Sequence, residues 1–179
     1  MKNILKEILG TSIYLLIVLL MIYLLVHFVG QRTEVVGSSM ENTLHDGDNL
    51  LVDKISYRFG EPERFDIVVF RYQHEKNTFY IKRIIGMPGE TVRITSDGKI
   101  LVNGEIIEEN YGSEVILDPG RAIDEIELAE DEYFVLGDNR NNSTDSRAES
   151  VGNIHKKDIL GKAFVRIWPL SELELLKHQ

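Results

Sequence analysis

The stretch that decides the fold is TVRITSDGKILVNGEII, residues 91–107. Short runs of β-branched and apolar residues are separated here by the dipeptides Asp97-Gly98 and Asn103-Gly104. Both dipeptides are typical of two-residue hairpin turns, because their residues tolerate a positive φ. Each dipeptide lies between two apolar runs, so the stretch predicts three antiparallel strands joined by tight turns.

Further short strands are predicted on both sides of this meander. They cover residues 49–54, 66–72, 79–87, 133–136 and 162–168. The final SELELLKHQ suggests a short helix, and the acidic residues 108–131 suggest an inserted loop or surface subdomain. The fold class is therefore predicted to be mainly β, with an antiparallel sheet or barrel-like domain.

The N-terminal region contains the apolar run IYLLIVLLMIYLLVHFV, residues 13–29. As a helix this run is about 26 Å long, close to the hydrocarbon thickness of a bilayer. A cleaved signal peptide is the alternative, but the following GQRTEVVGSS has no small-x-small cleavage pattern. We therefore expect an uncleaved transmembrane helix.

The charges that flank the apolar run predict its orientation. Lys2 and Lys6 precede it, whereas Arg32 and Glu34 follow it. The positive-inside bias then puts the N-terminus in the cytoplasm and the remaining chain outside. We expect a single-pass protein of the cell membrane, with residues 1–31 as cytoplasmic stub and anchor and residues 32–179 as an extracytoplasmic domain.

Composition excludes several classes of function. The net charge is −9 and no basic stripe is present, which argues against nucleic acid as a partner. The chain has no cysteine, so disulfides, thiolate catalysis and cysteine metal sites are excluded. The histidines are scattered without ligand spacing, and we expect neither a metal nor a cofactor.

Two candidate nucleophiles lie in VVGSSMENTLHDGD, residues 35–48. Ser38 and Ser39 follow the apolar run by about nine residues, which reach at most about 30 Å when extended. Either serine would therefore act close to the membrane surface. The substrate would be a lipid or a protein held at the bilayer.

A candidate general base is Lys82 in FYIKRIIGM. Period-two alternation puts Lys82 on one strand face with Tyr80 and Ile84. If that face points inward, burial lowers the pKa of the amine, and a neutral amine can accept a proton from a serine. The alternative is an edge-strand lysine that extends into water.

The stretch GDNRNNSTDSR, residues 137–147, is dense in polar and charged groups directly after an apolar strand. Such a loop beside a buried lysine could orient the amine through a serine hydroxyl, and an Asp–Arg pair could hold the loop. The alternative is a solvated turn, since Asn, Asp and Ser are common turn formers.

Taken in order, these stretches resemble the bacterial type I signal peptidases, membrane-bound enzymes that remove signal peptides from exported proteins. The resemblance covers nearly the whole chain. Its motifs are G-x-S-M-x-x-T-L at 37–44, Y-I-K-R-I-I-G-M-P-G-E at 80–90, G-D-N-R-N-N-S-x-D-S-R at 137–147 and I-L-G-K-A at 159–163. The motifs are moderately specific singly and highly specific together, behind one anchor.

The resemblance implies a Ser–Lys dyad of a serine protease. Ser39, which precedes Met40, matches the family's nucleophile, and Lys82 matches its general base. Neutral Lys82 takes the Ser39 proton, Ser39 forms an acyl-enzyme, and Lys82 then activates the deacylating water. The backbone N–H of Ser39 would hold the oxyanion.

Four further residues match supporting positions of the family. Ser143 matches a serine that helps to orient the lysine. Asp145 and Arg147 match a supporting pair, and Asp138 belongs to the same shell. The domain at 32–179 is thus expected to be the peptidase, with an insert at about 108–131.

The resemblance also implies the partners. Substrates are signal peptides of exported preproteins with small residues at positions −1 and −3, bound as an added β-strand. The lipid bilayer is the second partner. We expect a monomer that uses no cofactor.

Three departures from the family pattern are present. Asn42 stands where the family usually has proline. Gly37 stands where some members carry a serine whose hydroxyl completes the oxyanion hole. The segment 147–152 carries about two extra residues before its glycine. None of these changes removes a dyad residue.

Two competing interpretations remain open at this point. One is a Ser–Lys protease of the self-cleaving SOS-repressor type, which would lack the anchor at 13–29. The other is a catalytically silent, membrane-tethered assembly factor of the same fold, which would be expected to lose Ser39 or Lys82.

Overall fold

The computed structural model describes residues 2–112 and 114–176 and contains one long N-terminal helix followed by a β-rich domain. Helix α1 (Lys2–Val29) has 28 residues and is thus about 42 Å long. Its segment Lys6–Tyr23 has a mean hydropathy of 1.7, and none of its residues is buried. Within the described residues, α1 is the helix long and apolar enough to cross a membrane.

The β-rich domain contains twelve short strands in its described part, together with one short helix, α2 (Ser56–Phe59). The strands are β1 (Gly30–Glu34), β2 (Asn49–Asp53), β3 (Ile67–Arg71), β4 (Phe79–Gly86), β5 (Thr91–Ile94), β6 (Ile100–Val102), β7 (Glu105–Ile106), β8 (Ile126–Glu127), β9 (Glu132–Leu136), β10 (Ile154–His155), β11 (Ile159–Trp168) and β12 (Glu174–Leu175). Single 3₁₀ turns cover Gly120–Ile123, Lys156–Asp158 and Leu170–Glu172.

The strands form two antiparallel sheets, which confirms the predicted fold class. The larger has the order β1-β2-β11-β3-β4-β9-β10, with β12 also paired to β11, and the smaller has the order β7-β6-β5-β8. The predicted meander is the smaller sheet's core, and its turn residues Gly98, Asn103 and Gly104 all have positive φ. Only residues without a bulky or branched Cβ enter that region cheaply, which explains the Asn-Gly turn. The predicted two-residue turn at Asp97-Gly98 is wrong: three residues separate Thr95 from Lys99, whose carbonyl accepts the Thr95 N–H at 2.9 Å, and only Gly98 among them has a positive φ.

Apolar clusters join the two sheets and fix the loop that carries the candidate serines. One cluster packs Ile85 and Phe134 of the larger sheet against Val92 and Ile94 of the smaller. Another contains Leu50 of β2 together with residues of the loop between β1 and β2. This loop is therefore part of the core and not a free connection.

The predicted C-terminal helix is wrong. The chain instead makes a 3₁₀ turn at Leu170–Glu172 and the strand β12, in which Leu175 pairs with Val165. β3 pairs with β11 only as far as Lys162, so the following residues offer an unpaired strand edge that β12 occupies. The last residues of the prediction, 177–179, lie outside the described residues.

The acidic segment predicted as an insert is largely irregular. It contains the 3₁₀ turn Gly120–Ile123 and the strand β8, which pairs with β5. Ile116 and Ala122 are buried in the core cluster between the sheets. The segment is therefore packed onto the domain through apolar side chains.

Candidate active site

Ser39 lies in the loop between β1 and β2, at a tight turn anchored by buried side chains. Met40 and Leu44 are fully buried, and the Leu44 N–H donates to the Met40 carbonyl at 2.8 Å. The Glu41 N–H closes the first part of the turn on the Ser38 carbonyl at 3.0 Å. Ser39 is half-buried and faces the groove, and the core residue Met40 directly after it fixes its position.

Lys82 lies on the interior strand β4, opposite Val68 of β3, and only 3% of it is exposed. Its Nζ donates to Ser39 Oγ at 2.7 Å and to the Ile81 carbonyl at 2.8 Å. Because β4 is flanked by β3 and β9, the edge-strand interpretation of this lysine is wrong. The two residues lie 43 positions apart in sequence but form a direct hydrogen bond.

Burial lowers the pKa of Lys82 to about 8, because the apolar surroundings disfavour the ammonium form. The carboxylates of Asp145 and Asp138 oppose this effect by attracting the positive charge. Desolvation is the larger influence, so the amine loses its proton far more readily than an ordinary lysine. An amine of this kind can act as a base near neutral pH.

Gly137 lets the polar loop, residues 137–147, pack directly against the serine loop, which is the connection between β1 and β2 at residues 35–48. A Cβ at this position would lie 2.2 Å from Ser143 Oγ and 2.4 Å from the Ser39 carbonyl oxygen, so no larger residue fits. The Asn139 N–H donates to the same Ser39 carbonyl at 3.1 Å. The loop predicted to be near the lysine thus touches the backbone of the serine itself.

Asp145 and Arg147 form a buried, two-pronged ion pair. Arg147 Nε lies 2.8 Å from Asp145 Oδ1, and Nη2 lies 2.9 Å from Oδ2. Asp145 also accepts the Gly137 N–H at 3.0 Å, while Arg147 donates to the carbonyls of Arg140 and Asp118. The pair ties both ends of the loop together, while Asn141, Asn142 and Thr144 between them stay exposed.

Asp138 forms a second buried ion pair with Arg83, a residue that sequence reasoning did not select. Arg83 Nε and Nη2 lie 2.9 and 2.6 Å from the two Asp138 carboxylate oxygens. The Thr43 hydroxyl donates to the same carboxylate at 2.5 Å. The β4–β9 register explains this contact, because Arg83 pairs with Leu136 and Asp138 follows directly beyond the strand end. This pair joins the serine loop to the polar loop.

Ser143 lies beside the serine loop, but it forms no hydrogen bond with the lysine amine. Its buried hydroxyl has no hydrogen-bond partner among residues 2–112 and 114–176. A Cβ on Gly137 would lie within 2.4 Å of both the Ser143 Oγ and the Ser39 carbonyl oxygen. The Ser143 hydroxyl and the Ser39 carbonyl are therefore neighbours. No hydrogen bond joins Ser143 Oγ to the Lys82 amine, and the orienting role of Ser143 stays a prediction.

Ser38 is held by asparagines of the polar loop. Asn142 Nδ2 donates to Ser38 Oγ at 2.9 Å, and Asn139 Nδ2 donates to the Ser38 carbonyl at 3.0 Å. Its hydroxyl thus has a partner other than a base. The only sequence signal for these contacts was the large number of asparagines in residues 137–147.

The two departures near Ser39 have a conformational explanation. Asn42 has φ +80°, which the fixed negative φ of proline cannot reach. Gly37 has φ +91°, and its N–H donates to Asp46 Oδ1 at 2.7 Å. The serine loop therefore follows a path suited to Asn and Gly at these two positions.

The acidic segment before β9 packs against the polar loop. Glu109 forms a two-pronged ion pair with Arg140, with distances of 2.7 and 2.9 Å. The Arg121 N–H donates to the Arg147 carbonyl at 3.0 Å, and the ring of Tyr111 lies 3.6 Å from the Arg83 guanidinium carbon. This segment supports the loop and both of its arginines.

A groove of about 470 Å³ opens over Ser39 and Lys82. Other residues lining it are Thr33, Val35, Val36, Val69, Tyr80 and Ile81. β1 pairs only with β2 and is an edge strand of the larger sheet, so its second edge is open along the groove. The Thr33 hydroxyl is buried and has no partner among the described residues.

One group in the described part of the chain has ligand atoms close enough to hold a metal ion. It consists of His45, Asp48 and Glu172, whose ligand atoms lie within 4.8 Å of one another. Arg166 Nη1 already lies 3.1 Å from Asp48 and 3.4 Å from Glu172. The guanidinium supplies the positive charge between the two carboxylates, so we interpret the group as an ion-pair network.

Comparison with known proteins gives consistent matches. The family model described as "Signal peptidase, peptidase S26" matches residues 8–168. The "Probable signal peptidase I-2" of Synechocystis sp. is 44% identical over 154 residues, 83% of this chain and 68% of the relative. The "Signal peptidase I P" of Bacillus subtilis subsp. natto is 36% identical over 170 residues, 91% of this chain and 90% of the relative. A solved signal peptidase I from Enterococcus faecalis V583 has 32% identity and a TM-score of 0.48, covering 57% of this chain and 97% of that chain.

The matched family region includes the elements of the candidate site. It begins within α1 and ends at Trp168, the last residue of β11. It therefore contains the serine loop, β4 with its lysine, the polar loop and the acidic segment that supports it.

Proposed function

The chain belongs to the signal peptidase family, peptidase S26, and we propose that it cleaves signal peptides with Ser39 as nucleophile and Lys82 as general base. The family is one of serine proteases, so the reaction is a peptide hydrolysis. The observation that carries the residue assignment is the 2.7 Å contact between Ser39 Oγ and the buried Lys82 amine.

The proposed reaction has two proton-balanced stages. In the first, the neutral amine takes the Ser39 proton while Oγ attacks the scissile carbonyl carbon. The ammonium then protonates the leaving amine, and an acyl-enzyme ester remains. In the second, the same amine takes a proton from water, the hydroxide attacks the ester, and Ser39 is released with its proton restored. With a pKa of about 8, roughly a tenth of the Lys82 amines are neutral at pH 7.

When Lys82 is protonated, its amine needs a third hydrogen-bond acceptor. An ammonium has three N–H donors, and Lys82 uses two of them on Ser39 Oγ and the Ile81 carbonyl. The Ser143 hydroxyl is buried, unpaired and close to Ser39, so we propose it as a positioning group for the amine after proton transfer. The ion pairs of Asp145 and Asp138 hold the loop that carries Ser143.

The oxyanion of the tetrahedral intermediate needs N–H donors at the groove. The Ser39 backbone N–H donates to no group among the described residues, so it is the proposed donor. Gly37 supplies no hydroxyl, and its own N–H is engaged by Asp46. The proposed oxyanion hole therefore depends on the serine loop's backbone conformation.

The groove accounts for the proposed substrate preference. A preprotein segment would pair with the open edge of β1 and present alternate side chains to the groove. Val36 and Tyr80 belong to its largely apolar lining, which favours small uncharged residues at positions −1 and −3. We propose that the enzyme acts on such segments as a monomer.

The proposed location is the outer face of the cell membrane. Helix α1 crosses the bilayer once, with residues 1–31 as stub and anchor and the peptidase domain at 32–179 outside. The basic residues before the apolar run favour a cytoplasmic N-terminus. A catalytically silent assembly factor is not favoured, because serine and lysine are both retained and hydrogen-bonded.

Cleavage of a purified preprotein by the detergent-solubilised chain tests the assignment. Wild type should release a mature product whose sequenced N-terminus follows a small-x-small site. Ser39→Ala and Lys82→Ala should each abolish product formation while the domain keeps its β-rich circular dichroism spectrum.

Ser38→Ala is the matched control, because it removes a hydroxyl one position away whose partner is Asn142. It should retain most of the wild-type rate. Full activity of Lys82→Ala would contradict the dyad, and loss of activity only in Ser38→Ala would identify a different nucleophile.

A further inference from the structure

We infer that a pocket beside the outer end of helix α1 binds the phosphate of an anionic phospholipid headgroup and rests the peptidase domain on the bilayer. The inference depends on the proposed function, because it requires that α1 crosses the membrane. The pocket measures about 600 Å³ and is called the basic pocket below. Its charged lining residues are Lys54, Arg58, Lys156, Lys157 and Asp131.

Two charged groups of the basic pocket already have polar partners. Lys156 Nζ lies 2.5 Å from Glu61 Oε1, and Asp131 lies 3.1 Å from the ring of His155. The first contact connects the turn after α2 to the 3₁₀ turn before β11, and the second connects the turn before β9 to β10. They hold the walls of the pocket in place without filling it.

The remaining charges are cationic. Lys54, Arg58 and Lys157 form no ion pair with any described carboxylate, and the Lys54 amine contacts only the neutral amide oxygen of Gln31, at 3.2 Å. Three unpaired cations around one pocket are unexpected in a chain of net charge −9. Their mutual repulsion is relieved by an anion, and a phosphate accepts several N–H bonds at once.

The contacts of the basic pocket put it at the height of the headgroups. Helix α1 ends at Val29, and Gly30 directly after it pairs with Asp53 in the β1–β2 register. Lys54 follows Asp53 and binds Gln31, two residues beyond the helix. The apolar run ends where the helix ends, so Gln31 and Lys54 lie at the boundary between hydrocarbon and headgroups.

An exposed aromatic residue adjoins the cations. Phe59 is the last residue of α2, is 89% exposed and follows Arg58 directly. A protruding aromatic beside lysine and arginine is typical of surfaces that lie in the bilayer interface. Ile159 and Leu160 line the same pocket and can contact the first acyl carbons below a bound headgroup.

The bilayer is favoured over soluble anions because the anchor keeps the basic pocket beside headgroups at high local concentration. Each cation near an anionic surface contributes about fivefold to such an equilibrium. Neutralising two of them should therefore lower the ratio of docked to undocked domains about 25-fold. Salt should weaken docking through screening.

The test places a single fluorescent label at the exposed aromatic. The chain has no cysteine, so Phe59→Cys can be labelled alone in the full chain with an apolar dye. The labelled chain is reconstituted in nanodiscs of phosphatidylcholine that carry a quencher lipid, with and without phosphatidylglycerol. Quenching at position 59 should appear with phosphatidylglycerol and fall in the Arg58→Gln, Lys157→Gln variant.

A label at Ile106→Cys is the matched control, because Ile106 is also an exposed apolar residue but lies on the smaller sheet. It should stay unquenched in both lipids. Equal quenching at both positions, or quenching at position 59 that is independent of lipid charge, would overturn the inference. Inorganic phosphate added to uncharged nanodiscs should not produce quenching; if it did, the ligand would be free phosphate.

Two parallel measurements separate this inference from the proposed function. Preprotein cleavage in detergent reports on the dyad, and retention of the chain in uncharged nanodiscs at high salt reports on the anchor. The headgroup site alone is refuted if the preprotein is cleaved and the chain stays in uncharged nanodiscs, but quenching at Phe59→Cys is the same with and without phosphatidylglycerol.

Discussion

Replacing Lys82 with methionine should stabilise the folded protein near neutral pH, and this gain should shrink as the pH rises. The lysine is 3% exposed, and burial lowers its pKa from 10.5 to about 8. Between these two pH values the unfolded chain holds a proton that the folded chain has lost, so wild-type stability rises with pH there. Below about pH 8 wild type bears the full cost of the buried ammonium, and methionine removes that cost.

The magnitude follows from the pKa difference. The difference between a pKa of 10.5 in the unfolded chain and about 8 in the folded protein corresponds to roughly 3 kcal/mol. The difference in unfolding free energy between Lys82→Met and wild type should fall by about this amount from pH 7 to pH 10.5. Lys82→Met also loses the hydrogen bonds to Ser39 and Ile81, which are worth about 1 kcal/mol each. This loss lowers the unfolding free energy of the variant equally at every pH and does not change its pH dependence.

Denaturant unfolding in detergent, followed by the fluorescence of the single Trp168, measures this difference at a series of pH values. Lys76→Met is the matched control, because Lys76 is exposed and its replacement removes the same charge from the surface. The control should run parallel to wild type at every pH. If the unfolding free energies of wild type and Lys82→Met changed with pH in parallel, burial would not lower the pKa of Lys82. The explanation of how the amine becomes a base would then be refuted as well.

Three further outcomes are expected. The logarithm of kcat/KM should rise with unit slope against pH up to about pH 8 and level off above it, as the Lys82 amine loses its proton; a pH–rate profile with an acidic optimum would contradict this. Asp138→Leu should lower the unfolding free energy by about 3–5 kcal/mol by leaving Arg83 buried without its partner, whereas Asp138→Leu combined with Arg83→Met should recover part of the loss in denaturant unfolding. Gly137→Ala should lower kcat by roughly 10- to 100-fold in steady-state assays, since its Cβ would push the Ser39 carbonyl; an unchanged kcat would show that the two loops move apart freely.

Most of the strands could be predicted because their signals are local. The run at 79–87 is rich in aromatic and β-branched residues, and β4 covers all but its last residue. The C-terminal ELEL pattern was harder, since its leucines suit a helical face as well as a strand. The deciding factor was the unpaired edge of β11 beyond Lys162, which depends on where β3 ends and is not visible in the local sequence.

The pairing of Ser39 with Lys82 could be anticipated by combining a strand pattern with a family resemblance, but the contacts that surround this pair could not. Arg83 and Asp138 lie 55 positions apart, and they meet only because β4 and β9 pair with Arg83 opposite Leu136. Nothing in the sequence around Arg83 marks it as the partner of Asp138. The register between two strands is set by the packing of the whole sheet, so this part of the site required the structure.

The two buried ion pairs also explain why desolvation prevails at Lys82. Asp145 and Asp138 both attract a proton onto the amine and would by themselves raise its pKa. Each carboxylate is already bound by its own arginine through two short hydrogen bonds, so much of its negative charge is balanced at close range. Burial can then lower the pKa of the amine even with two carboxylates nearby. The arginines of β4 and of the polar loop thus serve the chemistry indirectly, by holding the loops together and by limiting the field that would keep the lysine protonated.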